Sequence, residues 1–168
     1  MTAQVAEKLL YMGERHAMCE QPLAMYFELA GVNPDFNGAS TALWRGYIGS
    51  WEVIDDRLYL VGLAGQLNDG TQANLSTLFP IYPDRVFAHW YSGKTRLPQG
   101  KLLKYVHAGY GSIYERDLFL HFENGVLTKT ELIENGIAID PHAPEGYGIG
   151  GMTKFPATKN ESADGWGK

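Results

Sequence analysis

From Trp44 onward apolar and polar positions alternate with a period of two, which predicts strands. In YIGSWEVIDDRLYLVGL (47–63), Tyr47, Trp51 and Val53 fall on one face, with Ser50 and Glu52 on the other. Asp55-Asp56 fits a two-residue hairpin loop, setting Ile54 opposite Arg57, Val53 opposite Leu58, Glu52 opposite Tyr59 and Trp51 opposite Leu60. Apolar meets apolar in this register, and a slip of one residue would turn those side chains to water. RVFAHWY (85–91), KTRL (94–97), LLKYVHA (102–108), IYERDLFLHF (113–122) and VLTKTELI (126–133) read as further strands. Ser92-Gly93 and Pro98-Gln99-Gly100 read as the turns between them. Asn124-Gly125 is the strongest hairpin signal in the chain, and its register places His121 opposite Thr128. Along 113–122, Tyr114, Leu118, Leu120 and Phe122 share one side, and Glu115, Asp117 and His121 the other.

Helical spacing appears early. Pro22 suits a first helical position, LAMYFELA (23–30) carries the period, and Gly31 ends it in a left-handed conformation. Residues 4–12 fit a short helix or a strand. NPDFNGAS (33–40) and GQLNDGTQANLSTLFPIYP (65–83) are turn chemistry, and no fixed-period repeat is present. The prediction is a mainly β fold (α+β by count): a single-domain antiparallel β-sandwich or partly open barrel over 1–140, with one or two short N-terminal helices, one at about 22–30. From Pro141 to Lys168 the sequence loses periodicity and fills with Gly, Pro and polar residues, predicting an extended or mobile tail.

Composition sharpens this. The chain of 168 residues holds 20 glycines and 12% aromatics, a mixture that favours strands and tight turns over a helical bundle. A net charge of −5 argues against a nucleic-acid partner. A single cysteine, Cys19, permits no intrachain disulfide and suits a reducing compartment. No signal peptide or membrane-spanning stretch is legible, so a cytoplasmic protein is expected.

No motif fixes a reaction. The histidines at 16, 89, 107, 121 and 142 form no metal-ligand pair, so no metal and no cofactor are expected. Cys19, three residues after His16, lacks the surroundings of a cysteine hydrolase and reads as a half-buried residue near a helix start. Ser112 lacks the second glycine of a nucleophile elbow, and GYGIGGMTK (146–154) opens no helix, unlike a phosphate loop. What stands out is a polar and aromatic ensemble in the second half. His107, with Glu115, is the candidate acid/base, since an imidazole titrates near working pH. His89, Tyr91, His107, Tyr110, Tyr114 and Arg116 are the candidate ligand contacts. The competing reading is that Tyr and His gather at strand ends, where one end is apolar and the other wet.

The runs TALWRGYIGSWEV, RLYLVGL, VFAHWYSG and LPQGKLLKYVHAGYGSIYE resemble stretches in small uncharacterised bacterial proteins. The resemblance covers most of residues 22–125; it implies a bacterial cytosolic setting and assigns no catalytic residue. The expected function is that of a non-enzymatic domain binding a partner protein in an accessory or immunity-like role. The alternative is an enzyme or sensor for a small polar or anionic ligand, nucleotide- or sugar-like. Homo-oligomerisation through an edge strand is also open.

Overall fold

The structure, a computed structural model, describes residues 3–38 and 40–145; most of the predicted tail lies outside the described residues. In chain order the elements are β1 (Glu7–Tyr11), β2 (Glu14–Met18), α1 (Pro22–Ala30), β3 (Tyr47–Ile54), β4 (Arg57–Gln66), β5 (Gln72–Ala73), α2 (Leu75–Leu78), β6 (Val86–Phe87), β7 (Gly93–Lys104), β8 (Ile113–Glu123) and β9 (Val126–Glu134). The fold is mainly β, as expected. Among the described residues the nine strands form one mixed sheet, with the path β2-β1-β3-β4-β9-β8-β7 and with β5 and β6 each paired to β4, and it does not close into a barrel. Its outer strands meet at a single bridge, where Cys19 N donates to Arg96 O (2.9 Å), so the sheet curls around its core.

Three hairpins turn on two residues of positive φ, the geometry that matches strand twist: Met12-Gly13, Asp55-Asp56 and Asn124-Gly125. The β3–β4 register is the one predicted from the sequence, with Trp51 opposite Leu60 and Val53 opposite Leu58. The undecided segment 4–12 contains β1. β1 pairs with β2 and, in parallel, with β3, which departs from the all-antiparallel expectation. That parallel pair requires a crossover, and α1 lies within it. α1 begins at Pro22 and ends at Gly31 (φ +66°) as expected. It packs by Tyr26 on Phe79 and Trp90 (ring centroids 5.0 and 4.8 Å), and Trp90 Nε1 donates to Pro22 O at 2.8 Å. The core beneath joins Trp51, Leu58, Leu60, Leu97 and Leu120, all fully buried.

Three local expectations are corrected. RVFAHWY is a strand only at Val86–Phe87; beyond it Tyr91 N donates to Ala88 O, closing a turn that buries Tyr91 and leaves His89 exposed. Those two residues therefore do not share a strand face. Pro98-Gln99-Gly100 does not reverse the chain but forms a bulge within one long β7. Arg96 turns its carbonyl to the outer edge, to Cys19, so Pro98, two residues on, carries its missing N–H on that edge, where the β7–β8 ladder needs no donor. A second bulge, at His121/Phe122, sets His121 opposite Lys129 rather than Thr128, whose hydroxyl instead donates to His121 O.

Candidate functional site

The predicted ensemble divides into separate environments. His107 is exposed in the connection between β7 and β8, where its Nδ1 meets the Tyr105 hydroxyl at 2.6 Å. Ser112 closes that connection: its Oγ accepts from Val106 N (2.9 Å) and donates to Val106 O (3.3 Å). Tyr110 is half-buried against the N-terminal segment; its hydroxyl accepts from Gln21 Nε2 (2.9 Å) and donates to Val5 O (3.4 Å). Burial pushes its phenol up, keeping it protonated. Tyr114 is fully buried beside Ala6 and Ala17, a core residue and not a surface ligand contact. Arg116 is half-buried on β8 between Gln99 and Glu134 of the flanking strands. His89 sits exposed between the rings of Phe87 and Trp90, whereas Tyr91 is buried with its hydroxyl 2.9 Å from Thr95 Oγ1.

Glu115 engages both oxygens with backbone amides, accepting from Lys101 N (2.9 Å) and Ala138 N (2.8 Å), so it does not orient His107. These two bonds clip the segment after β9 across the end of the β7–β8 ladder, and they hold the carboxyl below its ordinary value. A lowered folded value means that the contribution is present above the unfolded pKa of about 4.3 and is lost as pH falls through the folded one. Glu115→Gln should therefore speed amide exchange at Ala138 relative to wild type at neutral pH. That gap should close as both are acidified below the ordinary carboxylate range; a gap unchanged by acid would contradict the carboxylate's role.

A polar cluster that sequence reasoning did not single out lies beneath these groups. Glu7 is fully buried on β1, and its Oε2 accepts from Arg45 Nη2 (2.7 Å), Arg45 Nε (3.2 Å) and Gly49 N (2.8 Å). Its Oε1 accepts from Trp51 Nε1 (3.2 Å), and Arg45 Nη1 donates to Val5 O (2.8 Å). Burial pushes the Glu7 carboxyl up while Arg45 and these donors pull against it. Nearby, Arg96 pairs with Asp117 (2.7 Å) and donates to the carbonyls of Tyr110 and Ser112 (2.7 Å each). The two arginines fix the N-terminal segment and the β7–β8 connection, and with every polar atom engaged they are framework. One signal for Glu7 was available: it falls on the Leu9 and Tyr11 side of β1, an acid in an otherwise apolar row. Burial also pushes the Cys19 thiol up to about 12, so it is no thiolate nucleophile at neutral pH. Among the described residues no three His, Cys, Asp or Glu side chains are grouped to hold a metal.

A cleft of about 290 Å³ opens between α1 and the residues before β7, lined by Glu20, Ala24, Met25, Glu28, Tyr91 and Ser92 among others. Tyr91 is the one predicted contact in it, and its two carboxylates suit a cation better than the anion expected from the sequence.

The other candidate is an edge. β4 pairs with β3 on one side; on the other it meets β9 at Arg57–Val126, then β6 at Tyr59 and Leu60, then β5 at Gly65 and Gln66. Beyond Leu127, whose N–H reaches Asp56 O (2.6 Å), β9 leaves β4 behind. Asn135 N donates to Glu115 O, so by antiparallel alternation Ile133 and Glu131 bond to β8, while Thr130, Leu132 and Glu134 direct their backbone groups outward. Among the described residues nothing meets those groups. Leu132 and Ile133 are 56% and 44% exposed, and Ile137 and Ile139 beyond them 86% and 99%.

Compared with known proteins, the chain matches no family model, no curated protein and no solved structure.

Proposed function

We propose that this chain is a non-enzymatic protein-binding β domain that receives an extended polypeptide segment along the open edge of β9. The observation that carries this reading is the run of backbone donors and acceptors at Thr130, Leu132 and Glu134 that nothing among the described residues meets, with apolar side chains exposed along and beyond it. An added strand would satisfy the backbone groups, and the exposed Leu132 and Ile133 would contact its side chains. An accessory role in a bacterial cytoplasm is part of the same proposal, supported by the lone cysteine and the net charge of −5.

A photo-crosslinking residue in place of Leu132 tests it, with Met12, exposed on the β1–β2 turn, as the control position. In bacterial lysate a discrete adduct is expected from position 132 and not from 12, and Thr130→Pro should abolish it. Proline at Thr130 removes only an outward N–H, so the fold should persist, as judged by circular dichroism. No adduct, or one undiminished by Thr130→Pro, would sink the proposal. A nucleotide or sugar that raises the melting temperature equally with and without Thr130→Pro would move the assignment to the ligand-binding alternative.

A further inference from the structure

Resting on that reading of β9 as a docking edge, we infer that its occupant is β9 of a second copy of this chain, paired antiparallel about a two-fold axis at Thr130. Opposite residues in an antiparallel ladder must both direct their backbone groups toward each other or both away. The outward residues Thr130, Leu132 and Glu134 can therefore face only outward residues of the second strand, which leaves two-fold registers centred on a residue. Centring on Lys129 sets two ammonium groups face to face, and centring on Glu131 does the same with two carboxylates. Centring on Leu132 puts Glu131 against Ile133 and Lys129 against Asn135, so no charge finds its opposite. Centring on Thr130 places Lys129 opposite Glu131 of the second copy, and Glu131 opposite its Lys129.

This register pairs opposite charges twice, at positions where side chains approach most closely because the backbone bonds there point inward. Both groups reach solvent, the Lys129 and Glu131 side chains being 63% and 38% exposed; within the chain Glu131 Oε1 meets His121 Nε2 at 2.5 Å and lies 4.0 Å from Lys129 Nζ, which leaves its Oε2 for the second copy. The β3–β4 turn, whose Asp56 carbonyl holds Leu127 N, closes the edge at one end, so a second strand lies along Thr128 and onward. The same charges argue against stacking in other registers, because shifting the axis by one residue creates a like-charge contact.

Sedimentation equilibrium of the full chain, from micromolar to millimolar concentration, tests this. Wild type should be a dimer. Lys129→Glu and Glu131→Lys should each weaken it at least tenfold, and the double variant K129E/E131K should restore it, because the swap regenerates both pairs. Circular dichroism checks that each variant is folded. A wild-type monomer throughout, single reversals without effect, or a double variant no better than the singles would overturn the inference. A monomer that still yields a Thr130→Pro-sensitive adduct with another protein at position 132 would overturn the second copy alone. A monomer with no adduct would take the docking edge down with it.

Discussion

Glu7→Ala is expected to cost about 3–5 kcal/mol, enough to bring a domain of ordinary stability close to unfolding. The loss lies less in the missing carboxylate than in what it leaves behind. Arg45, its side chain 8% exposed, would keep a charge with the Val5 carbonyl and the face of the Tyr47 ring (5.5 Å) to meet it but no counter-charge. Gly49 N and Trp51 Nε1 would lose their acceptor in the same step. Removing the charge from both sides should be milder: Glu7→Leu with Arg45→Met still leaves Gly49 N and Trp51 Nε1 without their acceptor but strands no buried charge. Urea denaturation of wild type, the single and the double variant measures this. If the double variant is no more stable than Glu7→Ala, the unpaired charge is not the cause.

Gly125→Val is expected to cost about as much, roughly 3–5 kcal/mol, for a different reason. Gly125 sits at φ +78°, where a β-branched residue is strained, and a Cβ there would lie 2.5 Å from Ala88 O. The residue also ties three segments together. Its N–H donates to Tyr91 O (2.7 Å), and its carbonyl accepts from Leu58 N (2.9 Å). Gly13→Ala is the control: it has nearly the same φ, with nothing within 4 Å of the new Cβ, so only backbone strain of about 1 kcal/mol remains. Equal losses at the two positions in thermal denaturation would show that crowding at the junction contributes nothing.

These two sites mark the boundary of what the sequence discloses. The β3–β4 hairpin is readable to the residue because its turn and its apolar pairing point to the same register. Asn124-Gly125 announces its hairpin equally clearly, yet the bulge at His121/Phe122 is invisible, since local alternation does not record which residue the partner strand skips. Pro98-Gln99-Gly100 misleads in a related way. Proline and glycine signal a break, but whether the chain reverses or only bulges depends on which edge of β7 must donate. The parallel β1–β3 pair and the Glu7–Arg45 contact depend on residues about forty positions apart. The polar ensemble between His89 and Arg116 looks concentrated along the chain, but a strand and its turn send neighbours in opposite directions. Tyr114 goes to the core, His107 to the surface and Glu115 to a backbone clip.

The hydrogen bond from Gly125 N to Tyr91 O also bears on how the molecule ages. Asn-Gly is the dipeptide most prone to deamidation, which begins when the glycine amide nitrogen attacks the asparagine side-chain carbonyl. In the folded chain that nitrogen is held toward Tyr91, and Asn124 N is held by Ser92 Oγ at 2.9 Å, so the turn cannot readily bend into the cyclic imide. Unfolding releases both restraints together. The chemical lifetime of Asn124 is therefore set by the stability of the hairpin junction, and a gain of mass at this residue on storage records the time the chain has spent open.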